Sequence, residues 1–197
     1  MNMSAICSVH TNAGGPIYAQ DKHSIPSIAS DLGHNEGEGP ITPSFLVDVD
    51  RVVALLNQAV ASELTAFLSY TAHAAAAGGL REEVAQREFA EHAEQELGHA
   101  RALIARIDEL GGIADLDPST FARRSIAPFC GATGLDEMLA HQMQAERGAV
   151  ELYRNAIQWL GDRDPTTRRL LEDILSTEER HARDIQTLLD SLTSGGA

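Results

Sequence analysis

The 197-residue chain sets 15 lysines and arginines against 29 aspartates and glutamates, a formal net charge of −14. That length fits one domain with a sizeable core, and the acidic balance opposes direct binding to nucleic acid or an anionic membrane while drawing cations. No apolar run reaches the ~20 residues of a membrane helix, and no charged-then-apolar leader opens the chain, so a cytoplasmic protein is expected.

Residues 1–44 mix glycine, proline, serine, asparagine and histidine without periodicity and are expected to form a flexible N-terminal arm. His10, His23 and His34 lie in it, with Lys22 as its only basic residue. The two cysteines, Cys7 and Cys130, match no metal or redox spacing and are read as reduced thiols.

From residue 45 to 197 the pattern changes to four long amphipathic helices with no strand between them. The first runs from about Phe45 or Asp48 to Ala77 and is expected to stop at Gly78-Gly79, with Val52, Leu56, Glu63, Phe67, Tyr70 and Ala74 on its seam. The second spans about 80–110 and ends at Gly111-Gly112, so the tight link between the two predicts an antiparallel pair. A long connection over 111–134, with a possible short helix at 119–124, has the length of a crossover. The third helix covers 135–160, with Leu135, Leu139, Gln142, Glu146, Ala149, Tyr153, Ile157 and Leu160 on its seam, and the fourth about 165–192, with Leu171, Ile174, Glu178, His181, Ile185, Leu188 and Leu192 facing inward. The fold expected is all-α, an antiparallel four-helix bundle with a long crossover between the second and third long helices.

Charge falls where the pattern demands apolar side chains. Each long helix places one glutamate in mid-seam: Glu63, Glu96, Glu146 and Glu178. Two of them are followed three residues later by a histidine, as Glu96-x-x-His99 and Glu178-x-x-His181, and residues three apart share a helix face. Glu63 and Glu96 are 33 positions apart, Glu146 and Glu178 are 32 apart, so two hairpins repeat one pattern. Four unpaired buried carboxylates would cost several kcal/mol each. Two divalent cations balance them and two imidazoles complete the coordination, a set that helical bundles use for paired iron or manganese. Iron is the first choice, manganese the second, and zinc would bind without redox chemistry.

His92, one turn before Glu96, reads as an accessory ligand, a supporting group, or a hydrogen-bonded core histidine. Tyr70, two turns after Glu63, is either a packing residue or a hydrogen-bond donor to the metal site. Gly98 and Gly148, inside helices, suggest close helix approach.

At these residues the chain resembles the ferritin-like superfamily, most nearly bacterioferritin and the Dps-like proteins, over about residues 48–192. The likeness rests on Leu56-Asn57, Glu63-Leu64-Thr65-Ala66 with Tyr70, Glu96-x-x-His99, Asp108-Glu109-Leu110-Gly111-Gly112, Asp136-Glu137-Met138-Leu139 with Glu146, and Glu178-Glu179-x-His181. The resemblance implies two irons, bridged by Glu96 and Glu178, with Glu63 and Glu146 as terminal ligands and His99 and His181 binding one iron each. It implies oxidation of Fe(II) by O2 or H2O2, for iron storage or detoxification, in a homo-oligomer. The haem-ligating methionine of bacterioferritins is replaced by Leu97, so haem is not expected. The missing short fifth bundle helix points to a dimer or a 12-subunit cage instead of a 24-mer. Glu91 and Gln95 stand where bacterioferritin has its inner-surface iron residues. Two alternatives use the same ligands: a diiron oxidase or peroxidase acting on another substrate as a small oligomer, and a non-catalytic metal-binding bundle.

Overall fold

A computed structural model describes residue 41, residue 45, and residues 47–78 and 82–194. The expected arm over 1–44, with Cys7 and its three histidines, lies outside the described residues apart from Ile41. Five helices follow in order: α1 (Val49–Ala76), α2 (Glu83–Glu109), α3 (Pro118–Arg124), α4 (Leu135–Leu160) and α5 (Pro165–Ser194). No strand occurs among the described residues.

The four long helices pack as two hairpins. α1 lies on α2 and α4 on α5, and the hairpins meet where α2 faces α5 and α1 faces α4. Short links, residues 77–82 and 161–164, force each pair to reverse direction. Asp48 caps α1 by accepting from the Arg51 amide, and Asp164 does the same for the Thr167 amide at the start of α5.

At the end of α2, Gly111 takes φ 72°, in the left-handed region that glycine enters without steric cost, as the chain turns out of the helix. A Cβ on Gly112 would come within 2.7 Å of Val53, so this glycine lets the α2 terminus close against α1. The stop of α1 differs from the expected glycine signal: Ala77 is extended at φ −66° and ψ 108°. Residues 79–81, where the second helix was expected to begin, lie outside the described residues.

The connection from α2 to α4 runs along α1 and is fastened to it by side chains of α1. Asn57 donates to the Ile113 carbonyl at 3.0 Å and accepts from the Asp115 amide at 2.7 Å. Further along, Ser62 accepts from the Ile126 amide and Ser69 from that of Cys130. α3, capped by Asp117, sits within this crossover.

Three expectations are corrected. Leu192, near the C-terminal end of α5, is 37% exposed and does not face inward. Gly98 faces open space, so close helix approach does not explain it, while Gly148 is in ordinary contact with Ile126. α1 does have the length and apolar composition of a membrane span, yet it is largely buried and carries Glu63 in the bundle interior, as a core helix does.

Two apolar clusters fill the bundle. One holds Val52, Leu56, Leu103, Ile107, Tyr153, Leu160, Leu171 and Ile174; the other holds Tyr70, Phe89, Met138, Leu139 and Ile185. The polar layer of glutamates and histidines lies between them along every long helix.

Candidate metal centre

The mid-seam glutamates of all four long helices are buried, each with at most 2% of its surface exposed. Helical spacing then sets the histidines beside them. His99 Nδ1 lies 3.1 Å from Glu63 Oε2, 3.3 Å from Glu96 Oε2 and 3.0 Å from Glu178 Oε1. His181 Nδ1 lies 3.0 Å from Glu96 Oε1 and 3.7 Å from Glu146 Oε2. Two groups result in which the donor atoms converge within metal-binding reach: Glu63, Glu96, His99 and Glu178, and Glu96, Glu146, Glu178 and His181. Glu96 and Glu178 belong to both. All six residues singled out from the sequence therefore come together, on four different helices.

Several of these donors make no hydrogen bond although they are buried: Glu96 Oε1, Glu146 Oε2 and His181 Nδ1. Buried polar atoms are nearly always paired, and carboxylate oxygens and an imidazole lone pair left together in this way are the donor set that a divalent cation satisfies.

In the metal-free chain protons do the compensating. Burial, with the charge of Glu63 beside it, pushes the Glu96 carboxyl well above the usual carboxylate range. Glu178 is raised well above it too, by burial and by Glu96 and Glu63. Burial would lower His99, but its bonds to Glu178, Glu63 and Glu96 push it up to about 12. For Glu63 burial works upward and is outweighed by His99, Glu96 and Tyr153, leaving it below the ordinary value.

The groups around the layer repeat the twofold pattern of the sequence. The Tyr70 hydroxyl donates to Glu146 Oε1 and the Tyr153 hydroxyl to Glu63 Oε1. Each tyrosine thus bonds the mid-seam glutamate on the first helix of the opposite hairpin. Tyr70 was in view from the sequence; Tyr153 was seen only as a seam residue. The available signal was its spacing, because Tyr70 follows Glu63 and Tyr153 follows Glu146 by the same seven positions.

Gln95 was also overlooked as a partner of the site. Its Oε1 lies 3.2 Å from His181 Nε2, and an amide oxygen only accepts, so Nε2 carries the hydrogen and Nδ1 keeps the lone pair that faces the carboxylates. Arg180 holds the same oxygen from its other side. No local pattern announces this contact, since Gln95 and His181 are 86 residues apart.

His92 is buried and stacks on the His181 ring, centroids 4.0 Å apart. One of its donor atoms falls within reach of Glu146 and His181, while Nε2 points to Asp184 at 3.6 Å and Glu88 at 3.8 Å near the surface. It stands at the edge of the layer, outside both four-residue groups.

A cavity of about 20 Å³ is lined by Thr65, Ala145, His141 and Ser125–Pro128 together with Glu63, Glu96, Glu146 and Glu178. That volume holds about one water-sized species and is far below the ~300 Å³ of an organic-ligand pocket.

Comparison with known proteins agrees with this geometry. The family described as the Ferritin-like domain matches residues 53–194. The chain is 30% identical over 154 residues to the DNA protection during starvation protein of Pyrococcus furiosus, covering 76% of this chain and 82% of that protein. It is 30% identical over 142 residues to a bacterioferritin of Rhodobacter capsulatus, covering 70% and 81%. Among solved structures, the dodecameric thioferritin of Bacteroides fragilis, a bacterioferritin-related protein, superposes with a TM-score of 0.72 at 30% identity, covering 75% of this chain and 89% of that one. The chain belongs to the ferritin-like family, of the bacterioferritin and Dps kind.

Proposed function

We propose that the six-residue layer binds two iron ions and that the protein oxidises Fe(II) with O2 or H2O2, serving iron storage or detoxification. The observation that carries this reading is the pair of overlapping four-residue groups sharing Glu96 and Glu178. Two adjacent irons supply the electrons that reduce the oxidant and a place for it to bind.

The protein's own residues divide the remaining tasks. Glu96 and Glu178, which belong to both groups, would help hold both ions, and Glu63 and Glu146 would hold one each. His99 and His181 offer Nδ1, the latter held in the required tautomer by Gln95. Tyr70 and Tyr153 fix the terminal carboxylates by donating to their second oxygens. His92 supports His181 by stacking. Four carboxylates against two divalent ions leave the buried layer without net charge.

The narrow cavity favours O2, H2O2 and water over an organic substrate. Leu97 has no donor atom, which supports a centre without haem of the bacterioferritin type. One relative is named for DNA protection; with a net charge of −14, this chain would protect by consuming Fe(II) and peroxide, without binding DNA. A closed homo-oligomer, of twelve subunits as in the dodecameric relative, is the assembly proposed, and exposed Leu68, Ile113, Leu116 and Phe129 supply apolar surface for it.

The test loads the metal-free protein with Fe(II) under argon, admits air, and follows ferric absorbance. The wild type should outpace a Glu96→Ala, Glu178→Ala variant, and equal rates would refute the reading. Light scattering on the same preparation measures the assembly.

A further inference from the structure

A second cluster of metal-binding side chains lies outside the six-residue layer and shares no residue with it. His73 of α1, Cys130 of the 125–134 segment and His141 of α4 each bring a donor atom to within 4.8 Å of the others. His73 is fully buried and Cys130 is 6% exposed.

The hydrogen bonding around the two histidines is what a metal ligand requires. His141 Nε2 lies 3.0 Å from the Pro128 carbonyl, which can only accept, so Nε2 carries the hydrogen and Nδ1 the lone pair. That Nδ1 is buried and makes no hydrogen bond. On His73, Nδ1 is the nitrogen engaged, 3.1 Å from the Gln142 amide, while Nε2 is buried without a hydrogen bond, as is Gln142 Oε1. Turning the amide so that Oε1 accepts from Nδ1–H satisfies the glutamine and leaves the Nε2 lone pair for a ligand. His141 thus has one nitrogen held by the protein and the other unengaged, while His73 is held at Nδ1 by Gln142 and has the Cys130 backbone against its ring.

Charge points the same way. Burial and the neighbouring His141 bring His73 down to about 4, against an opposing pull from the Cys130 backbone, so its ring is neutral at physiological pH. Burial also lowers His141, opposed by its bond to Pro128. Neutral imidazole is the metal-binding form.

We propose that His73, Cys130 and His141 form a second cation site, N2S in its donors, selective for zinc-type divalent ions. Zinc bonds of ~2.0–2.3 Å require the three donors to draw in by about 1 Å, and the fourth tetrahedral position falls to water. Binding converts the Cys130 thiol to thiolate, its proton leaving to solvent, so occupancy rises with pH. Thiolate separates this site chemically from the oxygen-rich layer at mid-bundle, which suits iron. A bound ion would clamp the 125–134 segment, which helps line the cavity beside the mid-bundle layer, onto α1 and α4.

Cobalt(II) is the probe, because only a sulfur ligand gives it thiolate-to-metal charge-transfer absorption, and the chain's only other cysteine is Cys7. In a Cys7→Ala protein the band should appear, reach the amplitude of one thiolate-bound cobalt per chain whatever the mid-bundle layer takes up, and be bleached by zinc. Cys130→Ser and His141→Ala, each on that background, should abolish it. Glu178→Ala should leave it intact, so failure of the mid-bundle reading would not register here. Absence of the band from the Cys7→Ala protein overturns the proposal whether or not the other variants fold. A band that survives His141→Ala overturns the ligand set.

Discussion

Two buried polar clusters stand in the same bundle and solve the cost of burial in opposite ways. Near the end of α2, Arg106 donates from Nε to the Thr167 hydroxyl at 2.8 Å and from its terminal nitrogens to Asp164 and Glu109. Asp164, 1% exposed, also caps α5, so cation, anion and hydroxyl are all satisfied within the protein. At mid-bundle four glutamates face two histidines, and several donor atoms have no hydrogen bond. The first cluster is a structural joint between α2 and α5. The second leaves donor atoms over, which in the reading proposed above cations from outside would satisfy, so that the same burial cost would yield structure in one place and a binding site in the other.

Breaking the mid-bundle layer should give the largest effect on chemistry. Glu178→Gln should bring Fe(II) oxidation down to the uncatalysed rate and remove the gain in Tm that metal gives the wild type, both read on the same purified protein. The metal-free variant should be no less stable than the metal-free wild type, since one crowded carboxyl is gone.

Breaking the joint should do the reverse. Arg106→Ala leaves Asp164 buried without its cation, and urea unfolding should show a loss of about 3–5 kcal/mol with or without metal. Oxidation per folded chain should be unchanged. If metal loading rescued this variant fully, the division into structural and binding clusters would be wrong.

A finer comparison lies within the centre. Tyr70→Phe and Tyr153→Phe each leave one glutamate oxygen without its donor and should cost about 1–3 kcal/mol in the metal-free chain. Their oxidation rates should fall to similar extents, because each serves the hairpin opposite its own. A large difference between the two would show that the twofold likeness is geometric only.

The smallest effect is on protons. Burial and Glu63 raise Glu96, burial and Glu96 raise Glu178, and His99 is pushed up to about 12, so in the metal-free chain these groups keep their protons to higher pH than their free counterparts do. Metal must displace them, so loading should release protons and weaken as pH falls. Calorimetry in two buffers of different ionisation enthalpy should give different apparent heats, and equal heats would count against this arrangement.

The long helices and the six donors were legible because a carboxylate on an apolar seam is an expensive departure from pattern, and it occurs once on each helix. Tyr153 was less legible, since an aromatic on a seam is ordinary packing until its hydroxyl is placed against Glu63. Arg106 and Asp164 gave no signal, as single charges near helix ends are usual at a surface and only packing buries them. Leu192 was misplaced because helical periodicity marks a face but does not say how far along it burial extends.

The sequence by itself therefore determined the four amphipathic helices, their pairing into hairpins and the ligand types on their seams, because helical period and the cost of buried charge act locally. Tertiary structure alone decided which contacts cross between elements: each tyrosine on the opposite hairpin's glutamate, Gln95 on His181, and His73, Cys130 and His141 in one place. Those contacts join residues far apart in the chain, and no periodicity along a single helix specifies what another helix brings to meet it.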